Sequence, residues 1–300
     1  MIADKRDPVL ATAPFCRLDV TDPASLQRLP ATETIVNLAA EHRDDVRPVS
    51  RYQETNVDGA RNVCELAEQR GVRRIVFTSS VAVYGFAPEE TDESGEIAYF
   101  NEYGRTKFEA EGVYRAWQGR APSERSLVIV RPTVIFGEGN RGNVYNLLRQ
   151  IASRRFLMIG SGTNRKSMAY VENVAAFLEY ALGFEAGVAT FNYVDGPDFD
   201  MNTLVATSRE RLFGRRDVGL RIPKPVGYAA GYVADAITRI SGRTLPVSGI
   251  RVRKFLGATS FRASLPTDFQ PPVPMTEGLQ RTISYEFLED HSGEPVFDTE

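Results

Sequence analysis

Thr78-Ser79-Ser80-Val81-Ala82-Val83-Tyr84-Gly85, followed after a loop of about twenty residues by Tyr103-Gly104-Arg105-Thr106-Lys107, decides how this chain is read. The run leading into the first motif, Arg74-Ile75-Val76-Phe77-Thr78, is β-branched and apolar, so it reads as a buried strand that ends on hydroxyls. The second motif opens a predicted helix from Tyr103 to Trp117. Tyr103 and Lys107, four residues apart, share one helix face. A free phenol, with a pKa of about 10, is a poor base at neutral pH. A neighbouring ammonium favours the phenolate. Ser80 at the strand end completes a unit that can take a proton from a hydroxyl and return it. With 12 tyrosines in 300 residues and five lysines, a Tyr-x-x-x-Lys match alone is expected about 0.2 times by chance. The strand-end serines and the helix context give it weight.

Working outward, strands and helices alternate. Thr34 to Ala40 reads as a buried strand, Tyr52 to Arg70 as a helix stopped by Gly71, and Ser126 to Arg131 as a third strand. A helix from Asn143 to Arg154 follows. Continuous apolar strands separated by helices predict a parallel sheet covered on both faces. The expected fold is therefore α/β, a doubly wound parallel sheet with a smaller C-terminal α/β lobe. Later segments are shorter. Leu157-Met158-Ile159 and Thr190 to Val194 read as strands, and Val171 to Leu182 and Asn202 to Leu212 as helices. Another helix starts at Pro223-Lys224-Pro225, and a last one runs from Met275 to Leu288. The expected division is a nucleotide-binding lobe over 1–135, with some later segments returning to it, a mainly substrate-binding lobe over 136–288 and a frayed acidic tail over 289–300.

Composition narrows the function. Net charge is −3, without the basic surplus that a nucleic-acid footprint needs. Cys16 and Cys64 are too few for a disulfide framework. With His42 and His291 as the only histidines, no metal site is expected. The apolar stretch Val226 to Ile240 is interrupted by Asp235 and Arg239 and is too short to span a bilayer. The expected setting is cytoplasmic, without membrane association.

These motifs resemble the extended short-chain dehydrogenase/reductases that act on nucleotide sugars, the UDP-glucose 4-epimerase-like members above all. Besides the two motifs, the carriers are Asn37-Leu38-Ala39-Ala40, Asn56-Val57-Asp58-Gly59, Arg131-Pro132 and Tyr170-Val171-Glu172-Asn173-Val174. The resemblance implies NAD as cofactor, a nucleotide-sugar substrate and a homodimer built on the helices at about 52–70 and 103–117. It implies catalytic roles for Ser80, Tyr103 and Lys107. It implies that Asp4 binds the adenosine ribose, that Asp19 and Val20 flank the adenine, and that Leu38, Ala39, Ala40 and Asn56 line the dinucleotide. Pro132 would lie near the nicotinamide, and Asn143 would face the substrate diphosphate. Tyr84 is a candidate sugar contact, and Arg165 and Lys166 are candidates for clamping the diphosphate.

Three departures accompany the resemblance. The family opens with a strand, a glycine-rich loop and a helix, whereas Ile2-Ala3-Asp4 resembles the end of its second strand. The expectation is a Rossmann-like sheet lacking its first strand and helix, with about thirty residues missing through a misplaced start, a fragment or a true loss of cofactor binding. Val81-Ala82 stands where dehydratases carry Asp-Glu, which disfavours dehydration. Lys166 stands where the family has Arg, without the bidentate fork. Gly137-Glu138-Gly139-Asn140-Arg141-Gly142 matches a dinucleotide fingerprint literally but lacks its downstream acid, so it reads as a loop beside the substrate. The expected reaction is NAD-dependent C4 epimerisation of a nucleotide-diphospho-hexose through a 4-keto intermediate. The alternatives are a one-way reductase of a 4-keto nucleotide sugar and a non-catalytic nucleotide-binding relative.

Overall fold

The computed structural model describes residues 1–8, 13–43, 46–229, 232, 257 and 259–291. In chain order its strands are β1 (Ile2–Asp4), β2 (Phe15–Arg17), β3 (Thr34–Asn37), β4 (Arg74–Thr78), β5 (Ser126–Pro132) and β6 (Val134–Phe136). Then come β7 (Met158–Ile159), β8 (Arg165–Lys166), β9 (Met168–Tyr170), β10 (Gly187–Tyr193), β11 (Phe199–Asp200) and β12 (Arg221–Ile222). The helices are α1 (Pro23–Leu26), α2 (Ser50–Tyr52), α3 (Gly59–Arg70), α4 (Glu102–Gly119), α5 (Asn143–Ala152), α6 (Val171–Ala181), α7 (Met201–Phe213) and α8 (Met275–Phe287). A π-helical turn, Gln53–Asp58, joins α2 to α3, and a 3-10 turn, Val81–Tyr84, follows β4.

The main sheet runs in the order β10-β5-β4-β3, and every pair in it is parallel. Period-2 alternation sends its apolar residues to both faces. Ile75, Phe77, Leu127 and Ile129 pack with Ala60, Val63 and Ala67 of α3 and Ala110, Tyr114 and Trp117 of α4. Val76, Val128 and Val130 pack with Val174, Phe177 and Ala181 of α6 and with Phe269. This is the doubly wound arrangement that the continuous apolar strands require. β1 and β2 form a separate parallel pair. Among the described residues neither β1 nor β3 has a strand on its second side, and Ile2 and Val36 are exposed.

A third apolar cluster joins Phe136, Leu148 and Ile151 to Met168, Leu204, Leu279 and Ile283, so α5, α7 and α8 share a core of their own. Element limits differ from the expectations by one to three residues, as where β3 ends at Asn37 rather than Ala40 and β10 begins at Gly187 rather than Thr190. The helix expected to reach Arg154 ends at Ala152, and Arg154 adopts φ 56°. The helix expected after Pro223 is seen over residues 224–229. Most of the remainder of the Val226 to Ile240 stretch, and the tail from residue 292, lie outside the described residues. No described helix is long and apolar enough to cross a membrane.

Candidate active site

Ser80 is the N-cap of the 3-10 turn after β4, its Oγ accepting from the Ala82 amide at 3.1 Å. Helix α4 starts where the Asn101 Oδ1 accepts from the Gly104 amide at 2.9 Å, a side-chain N-cap. Tyr103 therefore lies in the first helical turn. Its neighbour Gly104 lets the helix press onto the strand-end turn, since a Cβ there would lie 2.5 Å from the Ala82 carbonyl oxygen. Close approach joins the Ser80 hydroxyl to the Tyr103 phenol in a hydrogen bond. Burial raises the phenol's pKa, and that bond opposes the shift.

Lys107, one turn further on, is 2% exposed, and its Nζ stands 4.7 Å from the centre of the Phe77 ring. Burial pulls its ammonium down to about 7, against the negative charge of Glu111. Gly85 closes the turn at φ 63°, and a Cβ there would lie 2.0 Å from the Ala98 carbonyl oxygen. Gly85→Ala therefore combines a left-handed backbone with a backbone clash. It is expected to destabilise the chain by about 2 kcal/mol or more, read from the midpoint of a urea unfolding curve. A midpoint equal to that of the wild type would contradict this.

The other sequence-predicted residues are placed as follows. Asp4 ends β1, exposed, with its Oδ1 accepting from the Arg6 amide at 2.8 Å. Asp19 and Val20 follow β2. The Asp19 carboxylate takes the Thr21 amide and hydroxyl at 2.9 and 2.8 Å, and Val20 packs against the α3–α4 core. Leu38, Ala39 and Ala40 follow β3, with Leu38 58% exposed and the Ala39 amide donating to the Asn37 Oδ1 at 3.0 Å. Pro132 ends β5, buried. These positions lie at or just beyond the carboxyl ends of parallel strands, where open α/β sheets take their ligands.

Asn56 sits in the π-helical turn and is buried. Its amide nitrogen donates to the Glu41 carbonyl at 3.0 Å and to the Thr106 hydroxyl at 2.9 Å, and its Oδ1 accepts from the Glu41 amide at 2.8 Å. It thus ties the loop after β3 to the helix that carries Tyr103 and Lys107. Such π-helical turns recur at functional sites.

Tyr84 is turned into the core rather than toward a sugar. It is 1% exposed, with its hydroxyl donating to the Asn192 Oδ1 at 2.9 Å and accepting from the Arg131 Nη1 at 2.6 Å. Asn143 opens α5 and is exposed. Arg165 and Lys166 form β8. The Lys166 Nζ donates to the Gly257 carbonyl, and burial lowers its pKa to about 8. The Gly137–Gly142 loop is held by side chains. The Gly139 amide donates to the Glu286 Oε1 at 2.8 Å, the Gly142 amide donates to the Asn140 Oδ1 at 3.1 Å, and Glu138 accepts from the Tyr170 hydroxyl at 3.0 Å. Two of the amides that would cradle a phosphate are thus already engaged.

The structure adds residues that the motif reading passed over. Ser79, Glu111, Arg131, Tyr84 and Asn192 form one buried polar chain behind the strand end. Glu111 stands four residues after Lys107, a spacing visible in the sequence. Among the described residues, no group of three or more His, Cys, Asp or Glu is placed to hold a metal ion.

A doubly wound sheet carries a hydroxyl at the end of β4 and a phenol and an ammonium on the adjoining face of α4. Residues 2–193 match the NAD dependent epimerase/dehydratase family, and the chain belongs to it. It is 48% identical over 286 residues to the N-acetyl-alpha-D-glucosaminyl-diphospho-ditrans,octacis-undecaprenol 4-epimerase of Escherichia coli O157:H7, covering 94% of this chain and 86% of that one. It is 28% identical to the UDP-glucose 4-epimerase of Vibrio cholerae, over 84% of this chain and 76% of that one. The fold is similar to that of MoeE5 in complex with UDP-glucose and NAD, with TM-score 0.69 and 23% identity over 94% of this chain and 88% of that one. It is also similar to the Thermus thermophilus UDP-glucose 4-epimerase in complex with NAD, with TM-score 0.64 and 18% identity over 92% and 85% of the two chains. The chain is an NAD-dependent sugar epimerase. The residues present fit the ribose, wall and nicotinamide parts of the cofactor, and a glycine-rich turn for its pyrophosphate is not among them. An exposed acid ends β1, a largely uncovered Leu38 offers an apolar wall at the end of β3, and the polar pair Ser80–Tyr103 lies beyond β4.

Proposed function

We propose that this chain interconverts C4 epimers of a hexose carried on a diphosphate, through a 4-keto intermediate, and that the carrier is a polyprenol. The observation that carries the reaction is the hydrogen-bonded Ser80–Tyr103 pair with Lys107 one helical turn away. Tyr103 takes the proton of the C4 hydroxyl and later returns it. Lys107 supplies the positive charge that favours the phenolate. Ser80 holds the same substrate oxygen. NAD held by these residues would supply the hydride-accepting and hydride-returning chemistry at C4. Asp4 would hold the adenosine ribose, Leu38 to Ala40 the dinucleotide wall, Pro132 the nicotinamide end and Lys107 the nicotinamide ribose. Asn56 fixes the loop that forms part of that wall.

The core shared by α5, α7 and α8 fits a substrate-binding lobe, with Asn143, Arg165 and Lys166 on the diphosphate. The outer faces of α3 and α4 fit a homodimer interface. The polyprenol carrier is supported by the 48% identity to an enzyme named for such a substrate, against 28% to a UDP-glucose 4-epimerase. An apolar chain leaving the site also has Phe86 and Phe100, stacked with ring centres 4.6 Å apart and 63% and 47% exposed, close in sequence to Tyr84 and Tyr103. A cytoplasmic enzyme working at a membrane surface fits this reading, in place of the setting without membrane association expected from the sequence.

The test is to supply the NAD-loaded chain with undecaprenyl-diphospho-N-acetylglucosamine or with its UDP-linked counterpart, without added NADPH. C4 interconversion of the lipid-linked sugar is expected with kcat/KM at least about tenfold higher, the equivalent of roughly 1.4 kcal/mol of transition-state binding. Turnover of the nucleotide sugar alone would overturn the polyprenol carrier. Turnover of neither would overturn the reaction.

A further inference from the structure

Tyr103, Lys107 and Glu111 recur every four residues along α4 and share a face. Lys107 and Glu111 are 2% and 1% exposed, a buried cation followed by a buried anion. Buried charges persist when they are paired and hydrogen-bonded. Glu111 is held on every side. Its Oε1 accepts from the Ser79 hydroxyl at 2.6 Å and from the Arg131 Nε at 2.8 Å, and its Oε2 accepts from the Arg131 Nη2 at 2.6 Å. Arg115, on the same helix, brings an Nη2 to 4.0 Å.

The groups around this pair come from four directions. From α4 there are Tyr103, Arg115 and the pair itself, and from the end of β4 the Phe77 ring and Ser79. From β5 comes Arg131, and beyond it lie Tyr84 and, on β10, Asn192. Glu111 lies on the same buried face of α4 as Lys107, and its negative charge favours the protonated amine there. The same carboxylate grips Ser79, whose peptide leads directly into Ser80.

We propose that Glu111 is a positioning residue for this reaction: its carboxylate fixes the Ser79–Ser80 turn against Tyr103 and supplies the negative charge that keeps an ammonium at Lys107. It touches neither substrate nor cofactor and acts through the residues that do. The inference rests on Tyr103 and Lys107 serving as the proposed proton-transfer pair. A purely structural role, neutralising Arg131, makes a different prediction.

Glu111→Gln retains the shape and leaves an amide oxygen for Ser79 but removes the charge. Without it the alkaline limb of the kcat/KM profile, where Lys107 loses its proton, moves to lower pH by about one unit, which is about a tenfold loss at a fixed pH on that limb. A structural role alone lowers activity equally at every pH and leaves the limb in place. Ser79→Ala keeps the charge and removes the grip on the turn, so kcat falls while the limb stays at its wild-type pH.

Should Glu111→Gln unfold because Arg131 is left unpaired, Glu111→Gln combined with Arg131→Gln restores a neutral pair. Its limb moves in the same direction but by less than in the single variant, because the positive charge of Arg131 leaves together with the carboxylate. An unmoved limb in the folded single or double variant overturns the proposal. Wild-type turnover in the same assay separates that result from a failure of the epimerase reading, in which no variant and no wild type turns over.

Discussion

Tyr103→Phe is expected to lower kcat by about 10³-fold or more, while KM and the melting temperature stay close to those of the wild type. The argument is local. Phe fills the same volume beside Gly104 and the strand-end turn, so the contact between α4 and that turn is kept. What disappears is one hydroxyl and its hydrogen bond to Ser80. Such a bond contributes on the order of 1 kcal/mol net, which the fold tolerates. The chemistry does not tolerate it, because no other group in this arrangement both reaches the Ser80 oxygen and carries a proton that Lys107 can help to release. Steady-state kinetics with a thermal melt on the same sample checks both halves. Near-normal turnover would remove Tyr103 from the mechanism, and a collapsed melting temperature would make the activity loss uninformative.

The parts legible in the sequence were those governed by local rules. β4 and β5 read as buried because each is a continuous β-branched run, and both are packed on both faces. The spacing of Tyr103 and Lys107 gave one helix face, and the strand-end serine gave its partner. Less legible were features set by contacts distant in sequence. Tyr84 was read as a sugar contact from its place beside the loop. Its hydroxyl is instead taken by Asn192, 108 residues away, and by Arg131. The side-chain partners of Asn56, Glu41 and Thr106, are likewise revealed only by the folded π-helical turn. Glu111 carries no signal of its own in the sequence, because an acid in a helix usually means a solvated face and nothing in the local pattern says that Arg131 and Ser79 close over it.

Lys107→Met is expected to do two opposed things, abolishing turnover and stabilising the fold at neutral and lower pH. In the folded chain the ammonium of Lys107 is lowered to about 7, from 10.5 for an exposed lysine. Between those values the unfolded chain binds a proton that the folded chain does not. Stability therefore rises with pH across that window, and the full penalty of the buried charge stands below about 7. Glu111 offsets part of that penalty and is itself paired with Arg131 in the variant, so removing Lys107 leaves no carboxylate stranded. Met fills the channel over Phe77 with a flexible apolar chain of similar length. The variant should melt on the order of 5 °C higher than the wild type at pH 6, with the gap shrinking as the pH approaches 10. Melting curves across that range, beside activity at each pH, test the balance. A gap independent of pH, or a wild type that melts higher at pH 6, would show that the buried ammonium is not the source of the strain. The outcome predicted here would mark Lys107 as a charge held in the core for chemistry at the expense of the fold.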